Sequence, residues 1–213
     1  MTLLAEATTA EAPAAAPRSV TILGSTGSIG KNTLDLIERN PESFQVVALT
    51  ARRSVALLAE QARRTRAELA VVADEACYGD LKAALSGSGI EVAAGAQAVE
   101  AAAARPADFT MAAIVGAAGL LPTLTAVRRG AVVGLANKET LVCAGSLMTE
   151  AVTRAGAKLL PVDSEHNAIY QVLEQDKPEA VSRIILTASG GPFRQRSREE
   201  MARMTPDQAV AHP

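Results

Sequence analysis

Ser19-Val-Thr-Ile-Leu-Gly-Ser-Thr-Gly-Ser-Ile-Gly30 decides the fold of this chain. Ser19–Leu23 is a β-branched run that reads as a strand, and Ser28–Arg39 reads as a helix stopped by Asn40-Pro41. The glycines between them divide the work. Gly24 permits a tight turn, Gly27 lets the backbone approach a pyrophosphate, and Gly30 lets helix and strand pack closely. The start of the helix would then offer its free N–H groups and positive dipole end to phosphate. Glycine-rich turns also arise for steric reasons alone. The flanking strand and helix are what turn the glycine triad into a dinucleotide site.

Outward from that turn the chain alternates short β-branched runs with longer amphipathic ones. Strands are expected at Phe44–Thr50, Leu69–Val72, Ile90–Ala93, Thr110–Val115 and Ala131–Leu135. Helices are expected at Val55–Arg66, Ala76–Leu85, Val99–Ala104, Leu121–Arg129 and Glu139–Ala155. This is the pattern of an α/β, Rossmann-like, doubly wound parallel sheet with helices on both faces. Near residue 151 the character changes. Lys158–Val162 and Arg183–Thr187 read as strands of a second α+β unit, with His166–Leu173 as a helix between them. Ser189–Arg203, rich in Gly, Pro and Arg, reads as mobile and suited to a lid. The expected division is a tail over 1–17, a nucleotide-binding domain over 18–151 and the beginning of a second domain over 152–213.

The end of the second strand separates two cofactors. NAD-binding sheets place an acid there for the ribose hydroxyls. This chain has Ala51-Arg52-Arg53-Ser54, and guanidinium groups pair with a 2′-phosphate where an acid would repel it. Two partnerless surface arginines are the plainer alternative; the pattern favours NADPH.

A second chemical signal follows the Lys158–Val162 strand, in Pro161-Val-Asp-Ser-Glu-His-Asn-Ala-Ile-Tyr170. Asp163 and Glu165 project from one strand-to-helix turn, where open α/β sheets carry their chemistry. Paired carboxylates there suit a hard cation, Mg²⁺ or Mn²⁺, far better than zinc. For the tripeptide alone the competing reading is a helix cap by Asp163 or Ser164, with Glu165 at the positive end of the helix. His166 reads as structural, pointing elsewhere on that helix.

Composition narrows the classes further. The 213 residues are 48% hydrophobic, enough for a real core, with a net charge of −2. Aromatics make up 2% and Trp is absent, so neither a polyanion surface nor a base-stacking platform is expected, and no nucleic-acid partner. No apolar run reaches membrane-span length, so no membrane partner is expected. Cys77 and Cys143 match no metal or redox spacing and read as reduced, core-type thiols of a cytoplasmic protein. Residues 1–17 lack the basic segment of a secretory signal and read as a disordered tail.

Four further stretches, Met111-Ala-Ala-Ile-Val-Gly-Ala-Ala-Gly-Leu120, Leu135-Ala-Asn-Lys-Glu-Thr140, Pro161–Tyr170 and Thr187-Ala-Ser-Gly-Gly-Pro-Phe-Arg194, occur in order after the glycine turn. Together they resemble the 1-deoxy-D-xylulose 5-phosphate reductoisomerase family from about Arg18 to Pro213. The resemblance implies an NADPH- and metal-dependent enzyme of the non-mevalonate isoprenoid pathway. A linear ketose phosphate is rearranged to a branched aldehyde, which hydride reduces to 2-C-methyl-D-erythritol 4-phosphate.

The resemblance also implies roles residue by residue. Thr26, Gly27, Ser28 and Ile29 would hold the pyrophosphate, and Arg52, Arg53 and Ser54 the 2′-phosphate. The family often has Gly at the position of Arg52. Asn137 and Glu139 match cofactor contacts, and Lys138 a substrate contact beside the reacting oxygens. Asp163 and Glu165 match two of three metal carboxylates, with Glu165 also facing substrate. Ser164, Ser189 and His212 match substrate contacts, the last two near its phosphate. The third carboxylate and an Asn-Lys pair lie beyond Pro213 in the family, whose chains are nearly twice this length and usually homodimeric. Competing expectations are a non-catalytic NADPH-binding fragment, an NADPH dehydrogenase without metal and, least favoured, a nucleic-acid module.

Overall fold

A computed structural model describes residues 16–174, 176–188 and 190–211. Seven strands form one sheet: β1 (Arg18–Leu23), β2 (Phe44–Ala51), β3 (Leu69–Val72), β4 (Glu91–Ala94), β5 (Phe109–Ala112), β6 (Val132–Leu135) and β7 (Lys158–Pro161). All pairings are parallel, in the order β4-β3-β2-β1-β5-β6-β7. The expected class holds: this is a doubly wound α/β sheet. Parallel neighbours need long crossovers, and helices supply them. They are α1 (Ser28–Glu38), α2 (Val55–Thr65), α3 (Tyr78–Ala84), α4 (Ala96–Ala104), α5 (Leu120–Arg128) and α6 (Lys138–Ala155).

Successive strand residues face opposite sides of a sheet. Val46 through Ala51 are all buried, as are Val20 through Leu23, so both faces of the central strands are covered. One core cluster joins Ala112, Val133 and Leu135 of the sheet to Leu124, Val127, Met148 and Ala151 of α5 and α6. Another packs Ala48, Leu69 and Val71 under Val99 and Ala102 of α4.

Two strand expectations need correction. Lys158–Pro161 does not open a second sheet; it pairs with β6 in register Val132↔Lys158 to Leu135↔Pro161 and extends the first. Hydrophobic periodicity identifies a strand without saying which neighbour it joins. Arg183–Thr187 is irregular, and Ile184, Ile185 and Leu186 are exposed. A strand exists through its ladder bonds, and this segment takes part in none of the ladder pairings among the described residues.

The chain divides into two compact units after Pro161. In the second, α7 (Ser164–Val172) is followed by two one-turn helices, α8 (Arg198–Met201) and α9 (Pro206–Val210). Helix signals lie within the stretch expected to be mobile and just beyond it. Ser197 with Glu200 and Thr205 with Gln208 form reciprocal capping boxes. The expected 1–17 tail lies outside the described residues except for Ala16 and Pro17.

Candidate functional site

The strand order reverses between β1 and β5, which feeds a crevice beyond their carboxyl ends. A cleft of about 920 Å³ lies there, lined by Gly24, Thr26, Gly27, Arg52, Ile114 and Val115 among others. Its walls also include Ala73, Val99, Ala118 and Leu121, so it is mostly apolar with a polar rim. Such a lining suits a flat heterocycle with a charged tail.

The three glycines differ in what they answer to. Gly24 has φ +89°, and a Cβ there would sit 2.8 Å from the Ala113 carbonyl of the neighbouring strand end. At Gly30 a Cβ would overlap the Gly24 carbonyl and the Ser25 backbone. Gly27 is different: its added Cβ would meet only the Gly24 carbonyl, at an ordinary 3.5 Å. Packing within the protein demands the first and third glycines and leaves the second open to solvent and ligand. Gly27 caps α1, whose first helical bond runs from Lys31 N–H to the Gly27 carbonyl. The N–H groups of Ser28 and Ile29, at the start of that helix, have no intrahelical acceptor.

A buried polar lock fixes this turn. Ser25 N–H donates to the Thr50 carbonyl at 2.8 Å and Gly24 N–H to the Thr50 hydroxyl at 2.9 Å. Gln61, from α2 and almost fully buried, reaches in to bond Ser25 through both its amide atoms. Sequence reasoning missed Gln61. The available signal was its place on the apolar stripe of α2, beside Leu58 and Ala62.

Arg52 and Arg53 follow β2 and are both exposed. Arg52 lines the cleft, whereas Arg53 Nε pairs with Asp74 Oδ2 at 3.0 Å. Ser54 caps α2 by position, with its side chain unbonded to the helix.

Asn137 is the N-cap of α6 and is 2% exposed. Its Oδ1 accepts from Thr140 N–H at 2.9 Å and from the Thr140 hydroxyl at 3.0 Å. Its Nδ2 donates to the carbonyls of Ile114 and Gly116. The amide is spent within the protein, so its direct service is to hold the β5–α5 loop that lines the cleft. Lys138 is exposed as the first residue of α6, and Glu139 sits in the same turn.

In the second unit Asp163 caps α7, accepting from His166 N–H at 3.0 Å through Oδ1. The cap reading of that tripeptide is therefore realised. His166 does not point elsewhere: its ring Nδ1 lies 2.5 Å from the same Asp163 oxygen. Burial alone would raise the Asp163 carboxyl, but the His166 backbone bond, ring bond and ring charge outweigh it and hold it below its ordinary value. Oδ2 carries none of these contacts. Glu165 is half-buried, and its carboxylate makes no hydrogen bond or ion pair among the described residues. Two carboxylate donors two residues apart fit a hard divalent cation but supply only part of its oxygen shell. Among the described residues no group of three His, Cys, Asp or Glu side chains gathers for a metal. Ser164 is the first residue of α7 and exposed. Ser189 and His212 lie outside the described residues. Among those described, no helix is long and apolar enough to cross a membrane.

A family model described as 1-deoxy-D-xylulose 5-phosphate reductoisomerase matches residues 20–145. Another, described as the C-terminal domain of that enzyme, matches residues 159–213. The chain is similar to the reductoisomerase of Rhodospirillum centenum, 66% identical over 196 residues that cover 92% of this chain and 49% of the relative. Its fold is similar to that of the Zymomonas mobilis enzyme solved in complex with NADPH, with a TM-score of 0.88 and 60% identity. That match covers 91% of this chain and 51% of the other. A DOX-P reductoisomerase in complex with magnesium aligns with a TM-score of 0.84 and 35% identity, over 92% and 52% of the two chains. The chain spans about half the length of the relatives it matches.

Proposed function

We propose, for a chain that belongs to the 1-deoxy-D-xylulose 5-phosphate reductoisomerase family, that it functions as an NADPH- and divalent-metal-dependent reductoisomerase. The reaction is conversion of 1-deoxy-D-xylulose 5-phosphate to 2-C-methyl-D-erythritol 4-phosphate, in the cytoplasm, by a homodimer. The observation that carries this reading is Gly27, a glycine its own fold does not need, at the mouth of the cleft beside Arg52.

Thr26, Gly27, Ser28 and Ile29 bind the pyrophosphate through the turn and the first N–H groups of α1. Arg52, Arg53 and Ser54 bind the 2′-phosphate. Asn137 holds the loop on which the cofactor rests, and Glu139 shares its turn. Asp163 and Glu165 hold Mg²⁺ or Mn²⁺, which when bound supplies Lewis acidity to oxygens that gain negative charge. Lys138 contacts the substrate, and Ser164, Ser189 and His212 bind the phosphorylated sugar.

Titration of the chain with NADPH and NADH, against Arg52→Ala/Arg53→Ala, tests the cofactor half. NADPH is expected to weaken much more than NADH; equal weakening refutes it. Calorimetry with Mn²⁺ on wild type and Asp163→Asn tests the other half, and uptake that ignores the substitution refutes it. A second reading, a non-catalytic NADPH-binding fragment, draws on the half-length match and on the two-carboxylate set. It predicts NADPH binding without turnover.

A further inference from the structure

We infer that Asp74 is a positioning residue for cofactor selectivity, acting through Arg53; this rests on the NADPH reading above. Asp74 lies just beyond β3, one strand away from the place where NAD-binding sheets carry their acid. Its location is built by the ladder. Beyond the last β2–β3 pair, Ala51↔Val72, the bonds continue: Ala73 N–H donates to the Ala51 carbonyl at 2.8 Å and Asp74 N–H to the Arg52 carbonyl at 3.1 Å. Asp74 is thereby carried alongside the two arginines.

The two carboxylate oxygens have separate tasks. Oδ1 accepts from Ala76 N–H at 3.0 Å and closes the turn after β3. Oδ2 lies 3.0 Å from Arg53 Nε. The ion pair runs through Nε, so both terminal nitrogens stay available to a doubly ionised phosphate. A free arginine side chain loses rotamer freedom when it captures a ligand. Arg53 held at Nε has lost part of that freedom beforehand. The pair is solvent-facing, with side chains 67% and 31% exposed, so its worth as a stability device is small. Its consequence is orientation. Arg52 has no ion-pair partner among the described residues and lines the cleft, so it supplies charge while Arg53 supplies geometry.

Fluorescence titration of the 213-residue chain with NADPH and NADH tests this on wild type, Asp74→Asn, Arg53→Ala and the double variant. Asparagine keeps the oxygen that caps Ala76 and removes the charge facing Arg53. Arg53→Ala is expected to weaken NADPH about tenfold or more, the effect of a lost charged hydrogen bond. Asp74→Asn should weaken NADPH about fivefold, the upper range of an exposed ion pair, and leave NADH unchanged. The double variant should bind NADPH no more weakly than Arg53→Ala. NADPH binding that is unchanged or tighter in Asp74→Asn, or a loss shared equally by NADH, overturns the role of Asp74. A wild type that does not prefer NADPH instead sinks the cofactor reading on which it rests.

Discussion

Gln61 and Ser25 form a closed, buried pair: Gln61 Nε2 donates to the Ser25 carbonyl at 3.0 Å while the Ser25 hydroxyl donates to Gln61 Oε1 at 2.8 Å. The two residues are 2% and 0% exposed. Helix α2 thus fixes the shape of a loop far away in sequence. Gln61→Leu leaves the Ser25 carbonyl without its donor, and a cost of about 2–3 kcal/mol in urea denaturation is expected. Gln61→Glu sharpens the test. Only the protonated carboxyl can donate to the Ser25 carbonyl, so that variant should lose stability as pH rises from 5 to 8 while Gln61→Leu does not.

Substitution of the three glycines separates fold from ligand. Gly30→Ala drives a methyl group to 2.5 Å from Ser25 Cα and should cost at least about 1–3 kcal/mol as overpacking. Gly24→Ala combines positive φ with a clash against the Ala113 carbonyl and should be as severe. Gly27→Ala should change stability by less than about 1 kcal/mol, the scale of an N-cap change. Its NADPH affinity should nonetheless fall at least about tenfold, because the methyl group occupies the approach path of the pyrophosphate. Thermal melts paired with titrations check all three. A Gly27→Ala chain that binds NADPH normally removes the pyrophosphate from that turn.

Much of this arrangement was legible in the sequence, for reasons that individual residues make clear. The strand at Ser19–Leu23 and the helix over Ser28–Arg39 announce themselves by period, and the glycines between them by position. Tertiary partnership was not legible. Gln61 sits on the apolar stripe of its helix, but only the fold supplies Ser25 as its partner. Asp74 acquires its meaning from Arg53 on the adjacent strand end, and adjacency of strands is not written in period. The same gap explains β7, correctly read as a strand but assigned to the wrong sheet. Asn137 was nearer to hand: Asn-Lys-Glu-Thr before an apolar run is a cap signal. Its two bonds to the β5–α5 loop, however, depend on the fold.

Asn137 and Gly119 should prove to be one unit. A Cβ at Gly119 would overlap Asn137 Nδ2 and lie 2.7 Å from the Ile114 carbonyl that this nitrogen serves. Gly119→Ala must therefore displace the amide. Asn137→Ala removes the cap of α6 and both loop bonds, for a loss of about 3 kcal/mol. The double variant is expected to cost clearly less than the sum of the two single changes, since the clash with the amide disappears and only the approach to the Ile114 carbonyl remains. Additive losses by denaturant titration would show that the two act separately.

The last prediction concerns acid. Asp108 Oδ2 accepts from Ser19 Oγ at 2.7 Å and from Ser19 N–H at 2.8 Å, and Ser19 Oγ accepts from Asp108 N–H at 2.9 Å. This clamp ties the start of β1 to the residue preceding β5, at the end of the sheet opposite the cleft. The Ser19 hydroxyl bond, then its backbone bond, with help from Arg18 and Arg129, hold the Asp108 carboxyl below its ordinary 3.8. A carboxyl lower in the folded than in the unfolded chain adds stability above the unfolded value, and that stability disappears as pH falls through the folded one. The urea midpoint should therefore fall as pH drops below the ordinary carboxyl value of about 4, the side on which the group is lost. Asp108→Asn should start lower at pH 7 and show a shallower fall across that window. A variant whose acid slope equals that of wild type would show that other carboxylates govern acid unfolding, and the Ser19 clamp would then contribute nothing to it.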